Sequence, residues 1–491
     1  MSSSADSRKT PNLDSVTTIN QDGSRYFLHP SDVSGKFSHL RRLVAFVLLA
    51  IYVLLPWIPV NGYPAVFLDV ISRRFHFFGL TFAAQDAWLM FFGITGLAFT
   101  LFYLTALFGR IWCGWICPYT VFMEHVYRRI ERLIEGDGPA RRKLDQAPLT
   151  TSKAIKRITK QSAFLLVSLV LAHIFLAYFV SIPGLYSMMQ QSPAEHARSF
   201  GVVLFFTAGF YFAFSWFREQ FCIILCPYGR FQSALTDEDT TTIGYDAMRG
   251  EPRGKVSDPN AGDCIACNRC VQVCPTGIDI RNGLQLECIG CAACIDACDG
   301  IMKKVKRPTG LIRYDSLRGL RGEKTKWIRP RTIVYTGLLM VGMCFTAFAV
   351  LQIKPLTSNL VRMQGPPFYM TQDTVRNNFQ LRVVNKQHET ATITLALQDA
   401  PEAVNLIGGA AVREVDSLGE ELLTVLLEVP KSGYEGAFGF RVAVLDEEGK
   451  VLTSSKGEFV GPHPRLVNAT PVEPAPETKP ETTEQEGDTI Q

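Results

Sequence analysis

A polar opening gives way to long apolar windows that alternate with basic connections. Residues 43–60, 87–108, 163–182, 200–216 and 333–353 are almost free of charge, and about 20 such residues cross the hydrocarbon core as a helix. Five transmembrane helices are therefore predicted. Beyond the fifth the period changes. Between 373 and 460, apolar and polar residues alternate in short runs: Phe379, Leu381 and Val383, then Ile393, Leu395 and Leu397, then Phe438, Phe440, Val442 and Val444. Gly, Asn and Asp punctuate these runs as strands and turns require, which predicts a β-sandwich. Residues 469–491 are rich in Pro, Glu and Thr with almost nothing to bury, which predicts a disordered tail.

The chain has 491 residues and a formal net charge of +4, room for two or three domains and too little charge to argue for nucleic acid. The placement of the charge says more. Lys and Arg crowd residues 110–160, with Arg128, Arg129, Arg132, Arg141, Arg142, Lys143, Lys156 and Arg157, and crowd 218–331 still more. The connection after the first span has only Arg73 and Arg74, and the one after the third only Arg198. By the positive-inside rule the amino terminus, the long connection and the cysteine-rich segment are cytoplasmic, and residues after 353 lie on the opposite side. The first forty residues lack a secretory signal's short apolar region and cleavage site, so the first span is expected to stay uncleaved. The expected division is a cytoplasmic segment at 1–42, a four-helix core at 43–217 and a second cytoplasmic segment at 218–330. The fifth helix (331–353), the β-domain (354–468) and the tail (469–491) follow.

Thirteen cysteines cluster at short spacings and none lies in the β-domain, which points to metal binding and away from a disulfide framework. Cys264, Cys267, Cys270 and Cys274 form C-x2-C-x2-C-x3-C followed by Pro275, and Cys288, Cys291, Cys294 and Cys298 repeat the spacing. This is the pattern of a bacterial-type ferredoxin with two [4Fe–4S] clusters, here at about 255–305, in which the fourth cysteine of each run serves the other cluster. One cluster is thus expected on Cys264, Cys267, Cys270 and Cys298, the other on Cys288, Cys291, Cys294 and Cys274. Zinc would instead ask for paired C-x2-C knuckles closing one four-ligand site. Asp299 stands where many ferredoxins carry a second proline, a turn position and not a ligand.

C-x3-C-P-Y occurs twice, as Cys113, Cys117, Pro118, Tyr119 and as Cys222, Cys226, Pro227, Tyr228, each time after a span that runs toward the cytoplasm. The recurrence predicts a duplicated two-helix unit. A spacing of four puts both sulfurs on one face of an intact helix, with Cβ atoms about 5–6 Å apart, wider than a disulfide prefers. Each proline frees the carbonyl four residues earlier, Gly114 or Ile223. Thiolates suit Cu(I), and the four sulfurs together could make one copper site between helices. The alternative is four small buried apolar residues; the repeat with its shared Pro-Tyr favours function.

Weaker candidates remain. His173 sits alone in mid-span, which suits packing or a proton-linked role better than haem. His125 belongs to an amphipathic stretch with Val126, Ile130, Leu133 and Ile134, whose Arg128, Arg129 and Arg132 suggest a helix on the membrane surface with His125 exposed at the interface. Met340, Met343 and Cys344 are soft ligands in the fifth span, a placement more typical of core or lipid-facing side chains.

The arrangement resembles the bacterial cytochrome c oxidase accessory proteins of the CcoG, FixG and RdxA type. The likeness rests on the two C-x3-C-P-Y motifs, on 264–275 continuing into Gly277-Ile-Asp-Ile-Arg281, and on the 288–299 run ending in Asp299. It implies an inner-membrane protein with a periplasmic immunoglobulin-like domain, acting as a reductase of Cu(II) in copper delivery to cbb3-type oxidase. Oxidase assembly factors and a copper-transporting ATPase would be its partners, and a cytosolic or quinol donor would supply electrons. On that reading Cys113, Cys117, Cys222 and Cys226 are catalytic copper ligands. Two rivals stand beside it. One is a quinol-oxidising carrier like the membrane ferredoxins of nitrate and nitrous oxide respiration, which lack the attached β-domain. The other is an assembly scaffold without redox activity.

Overall fold

The computed structural model describes Thr18 and residues 25–83, 86–351, 354–387, 389–409 and 411–467. The expected tail at 469–491 lies outside these residues. The chain forms two compact units that meet at residues 352 and 353.

Five helices of the first unit are long and apolar enough to cross a membrane: Lys36–Trp57, Trp88–Phe108, Thr151–Val180, Ala197–Phe217 and Pro330–Leu351. The first begins before the apolar window does, because Lys36, Arg41 and Arg42 continue the helix outside the hydrocarbon. It also ends sooner. Pro56 closes it in a short 3-10 turn at Leu55–Trp57, and the chain passes into two small antiparallel sheets. Pro59–Val60 pairs with Tyr63–Pro64, and Val66–Asp69, Arg74–Phe77 and Leu80–Ala83 form a meander. The third helix starts at a Thr150 cap, whose side chain accepts from Lys153 N–H, well before the apolar window.

The basic connections do not splay into water. Residues 25–38 form a strap running between the helix ends and the cysteine-rich segment. Arg25 pairs with Glu219 at 2.8 Å, His29 Nε2 lies 2.6 Å from Asp145 Oδ2, and Ser31 N–H donates to Gln272 O at 2.8 Å. At the first helix, the N–H groups of Phe37 and Ser38 donate to Asp296 at 3.2 and 2.6 Å. A carboxylate from the ferredoxin segment thus satisfies orphan donors of a membrane helix.

Beneath the strap lies a buried ion network. Glu131 meets Arg141 at 2.7 Å, Lys160 at 3.8 Å, and Arg218. Arg128 meets Glu124, and Glu219 at 3.2 Å, and donates to Pro275 O at 3.1 Å. The short helix Arg128–Glu135 therefore turns its charged face inward. Arg128, Glu131 and Glu135 are buried while Leu133 is 88% exposed. The sequence reading had placed the arginines outward; partners from distant segments reverse that choice.

The second unit is an immunoglobulin-like sandwich of two antiparallel sheets. One runs Asn405–Ile407, Glu420–Pro430, Thr374–Asn385, Leu356–Arg362, with Tyr369–Met370 added; the other runs Arg413–Val415, Ala391–Gln398, Phe438–Leu445, Val451–Phe459. The alternation read from the sequence faces inward: Phe379, Leu381, Val383, Ile393, Phe440, Val442 and Val444 are all core.

Candidate iron–sulfur and cysteine-pair centre

The two four-cysteine runs fold alike. Ala266 and Asn268 take positive φ (53° and 54°), and Gly290 and Ala292, at the same places in the second run, take 68° and 61°. Alternating left-handed residues turn successive N–H groups into one concavity, the nest that holds anionic iron–sulfur groups. A short helix then follows each loop, Arg269–Gln272 and Ala293–Lys304, and carries the fourth cysteine away from its own loop. One cavity is lined by Cys264, Cys267, Cys270 and Cys298. The other is lined by Cys274, Cys288, Cys291 and Cys294, with Cys270 at its edge. This grouping is the crossed one.

Burial pushes the thiols of Cys270 and Cys291 up to about 11 and those of Cys288 and Cys298 up to about 12. Such sulfurs ionise at neutral pH only against a compensating metal charge. Among the described residues no three His, Cys, Asp or Glu side chains close on a point as a single ion requires; sulfurs at the corners of a cubane stand farther apart. Sulfur-only donors in two apolar, nest-lined cavities fit two [4Fe–4S] clusters. Asp299 serves the fold, accepting from Gly310 N–H at 2.8 Å.

The C-x3-C-P motifs depart from the intact helix expected of them. Cys113 lies in the helix Ile111–Trp115, whereas Cys117 precedes a new helix, Pro118–Phe122, with φ −53° and ψ 121°. Cys222 lies in a π-helical turn, Phe221–Leu225, and Cys226 precedes Pro227–Leu235 with φ −69° and ψ 112°. The proline forces the residue before it out of the helical region and starts the next helix at its favoured first position. The two motifs break identically, Cys117 N–H donating to Trp112 O at 2.9 Å and Cys226 N–H to Phe221 O at 2.8 Å.

The duplication extends upstream. Gly109 (φ 57°, ψ −132°) and Arg218 (φ 47°, ψ −128°), each four residues before its first cysteine, share one left-handed turn. The two units then exchange tyrosines. Tyr119 donates to Ala213 O at 2.9 Å and Arg218 O at 2.6 Å, while Tyr228 and Thr105 share a 2.5 Å hydrogen bond. These exchanges bring all four motif cysteines within electrostatic reach of one another. Burial pushes Cys113 up to about 11, with Cys117 and Cys226 adding to it, and Cys222 rises by burial and then by the other three sulfurs. Arg110 opposes both rises. Its guanidinium holds Gly229 O and Gln232, and Gln232 Nε2 in turn lies 3.6 Å from Cys113 Sγ.

The first motif sits directly on the second cluster loop. A Cβ on Gly114 would stand 2.6 Å from Ile289 O and 2.9 Å from Cys291 N. Cys113, Ile289, Cys291 and Ala293 share one apolar cluster, and Tyr314 pins the junction, accepting from Trp115 Nε1 at 3.0 Å and donating to Gly290 O at 2.6 Å. Since backbone meets backbone there, Gly114→Ala is expected to cost about 1–3 kcal/mol by overpacking. Thermal unfolding of the purified protein checks this; an unchanged midpoint would show that the junction can part freely.

Residues 217–317 match a family described as a 4Fe-4S dicluster domain, 89–136 a 4Fe-4S binding domain, and 346–462 an IG-like fold at the C-terminal of FixG. The nitrogen fixation protein FixG of Rhizobium meliloti is 34% identical over 434 residues, covering 78% of this chain and 81% of that one. Protein RdxA of Cereibacter sphaeroides is 36% identical over 408 residues, covering 79% and 86%. Protein RdxB of the same organism is 37% identical over 409 residues, covering 78% and 84%. The chain belongs to the FixG and RdxA family.

As a member of the FixG and RdxA family it is a membrane iron–sulfur electron-transfer protein. The remaining candidates fall outside the centre. His173 Nδ1 lies 2.8 Å from Leu169 O of its own helix, a packing role. Met340 and Met343 are more than half exposed on the fifth helix, and Cys344 is exposed. His125 is half-buried and not free at the interface: burial, then Arg41, pushes it down to about 4. Arg110, Gln232 and Arg41 escaped the sequence reading. Arg110 and Arg41 each follow or open an apolar span, where a lone arginine reads as a helix-end anchor, and only the fold shows what they hold. Arg41 Nε donates to Gly114 O at 2.9 Å.

Proposed function

We infer that this FixG and RdxA family member is a cupric reductase, converting Cu(II) to Cu(I) one electron at a time. The observation that carries the reading is the junction at Gly114, which sets the gathered motif cysteines against the second four-cysteine loop. When bound, the two clusters supply one-electron carriers beside that site. Cys113, Cys117, Cys222 and Cys226 would hold the copper substrate, their soft sulfurs favouring Cu(I). Arg110 would offset the thiolate charge, and its bonds to Gly229 and Gln232 would keep the two motifs in register. Because the electron comes from a cytosolic or quinol donor, no thiol is consumed. The basic connections at 110–160 and 218–331 support clusters in the cytoplasm of a bacterial inner membrane and the β-domain in the periplasm. There that domain, free of cysteine, would dock with the assembly factors of a cbb3-type oxidase and a copper-transporting ATPase.

The test is anaerobic titration of the cluster-replete, prereduced protein with Cu(II), following Cu(I) with a chelator. Serine at Cys113 and Cys117, or at Cys222 and Cys226, is expected to bring reduction to background while cluster absorbance stays normal. Undiminished reduction without all four cysteines would return them to a structural role, and cluster retention without any redox cycling would favour the scaffold. Because the 89–136 match is to an iron–sulfur family and includes Cys113 and Cys117, iron content is measured alongside. Iron beyond two clusters, lost with these cysteines, would replace copper by a third cluster.

A further inference from the structure

A second cleft opens beside the cluster loops, between the strap, the start of the first membrane helix and the 123–132 segment. It is open to solvent, with a cavity volume of about 40 Å³, and is lined by Arg41, Arg42, Arg129 and Arg132 against the carboxylates of Asp32 and Glu124. Both carboxylates are already engaged. Asp32 lies 2.8 Å from Arg132 and 3.7 Å from Arg129, and Glu124 pairs with Arg128. Among the described residues neither Arg41 nor Arg42 closes an ion pair, although Arg41 stands near enough to Glu124 to help hold that carboxyl down.

Two buried donors in this cleft are left without partners among the described residues. Arg41 is 8% exposed and its Nη2 makes no hydrogen bond; Ser31, another lining residue, is 2% exposed and its Oγ makes none. A buried guanidinium nitrogen and a buried hydroxyl without acceptors each carry a desolvation cost, so they mark a place where an acceptor belongs. His125 lines the same cleft; burial, then Arg41, pushes it down, so the positive charge of the cleft is that of its guanidinium groups. Planar guanidinium forks suit the paired oxygens of a phosphate.

We propose that this cleft binds a phosphate group, presented by the headgroup of an anionic phospholipid. The headgroup assignment follows from position, since Arg41 and Arg42 stand at the polar end of the first membrane helix, the level at which lipid phosphates lie and basic interhelical pockets take them up. The bound anion also touches the redox centre electrostatically. Arg41 Nε donates to Gly114 O, and Gly114 packs against the Ile289–Cys291 backbone of the second cluster loop; an anion that offsets the Arg41 charge would lower the potential of a cluster held there.

The test uses the full, cluster-replete protein in dodecyl maltoside micelles in a phosphate-free buffer. Phosphatidylglycerol is added to the micelles in one arm, inorganic phosphate to the buffer in a second, and sodium chloride of equal ionic strength in a third. Phosphatidylglycerol is expected to raise the unfolding midpoint, to be retained in native mass spectrometry, and to shift the second cluster's reduction potential negative. Arg42→Gln and Ser31→Ala should each weaken that retention by about tenfold, one charge-assisted hydrogen bond. Ser31→Ala loses no partner in phosphate-free micelles, so its midpoint there should hold or rise, which separates a lost ligand from a lost fold. A response to inorganic phosphate alone keeps the anion site and overturns the lipid source. Equal responses to phosphatidylglycerol and sodium chloride, or full retention by both variants, overturn the site.

Discussion

Glu131→Gln is expected to destabilise the membrane unit by about 3–5 kcal/mol, the cost of removing one partner from a buried charge group. Glu131 is 1% exposed and faces Arg141, Lys160 and Arg218, so the amide would leave buried Arg141 and Arg218 short of an anion while Lys160 keeps Glu135 at 3.0 Å. The loss should exceed that of an ordinary ion pair because Arg218 also holds the left-handed turn before Cys222, a backbone state that a non-glycine residue keeps only when its surroundings enforce it. Denaturant unfolding in detergent measures the cost. The double variant Glu131→Gln with Arg141→Met should recover part of it, since it removes one of the stranded charges. A change within about 0.5 kcal/mol, the range of ordinary surface substitutions, would mean that water reaches the network.

The same carboxyl fixes an acid limit. Burial alone would raise it, and Arg218, Arg141 and Lys160 more than reverse that, holding it near about 2. Its contribution is therefore complete above the unfolded glutamate value of about 4.3 and is lost as pH falls from there through the folded value.

Cys274→Ser should remove the cluster of the other run. The Cys274 sulfur lines the cavity of Cys288, Cys291 and Cys294, while its own run shares a cavity with Cys298. Iron and acid-labile sulfide are expected to fall by about half, with the surviving paramagnetic resonance signal that of the Cys264 site. The variant should also lose copper reduction, because the affected cavity is the one on which the Gly114 turn rests. Loss of the Cys264 signal with the other intact would imply two independent four-cysteine sites. Cys298→Ser is the mirror control and should spare the cavity next to Gly114.

What the sequence made legible was whatever repeats at short range. Phe379, Leu381 and Val383 alternate because one strand face is core, and both cysteine runs declare themselves because a cluster loop needs fixed spacing. The crossed grouping rests on the same regularity, the fourth cysteine of each run travelling with its helix, and the Cys274→Ser variant tests it. The intact helix assumed for Cys113 and Cys117 failed at Pro118, where the proline's effect on the residue before it outweighed helical spacing. Arg128, Arg129 and Arg132 misled for a different reason. A charged face normally means water, and here its partners are Glu219 and Asp32, far along the chain. The small sheets after Pro59 were missed because strands of two to four residues carry no period to detect.

The strap at 25–38 imposes an order of events on the making of the protein. It leaves the ribosome before the ferredoxin segment, so Phe37 N–H must wait for Asp296, a separation of 259 residues, and Ser31 must wait for Gln272. Until then the leading donors of the first helix have only water to bond, and the long loop still has to close. Leu28 settles against Gly277, a few residues past Cys274, where a Cβ would stand 2.8 Å away. The strap can therefore be laid down only across a ferredoxin segment that has already taken its shape. Membrane insertion and cluster-segment maturation become sequential steps of assembly, and a stretch made before the ferredoxin segment finds its place only after it.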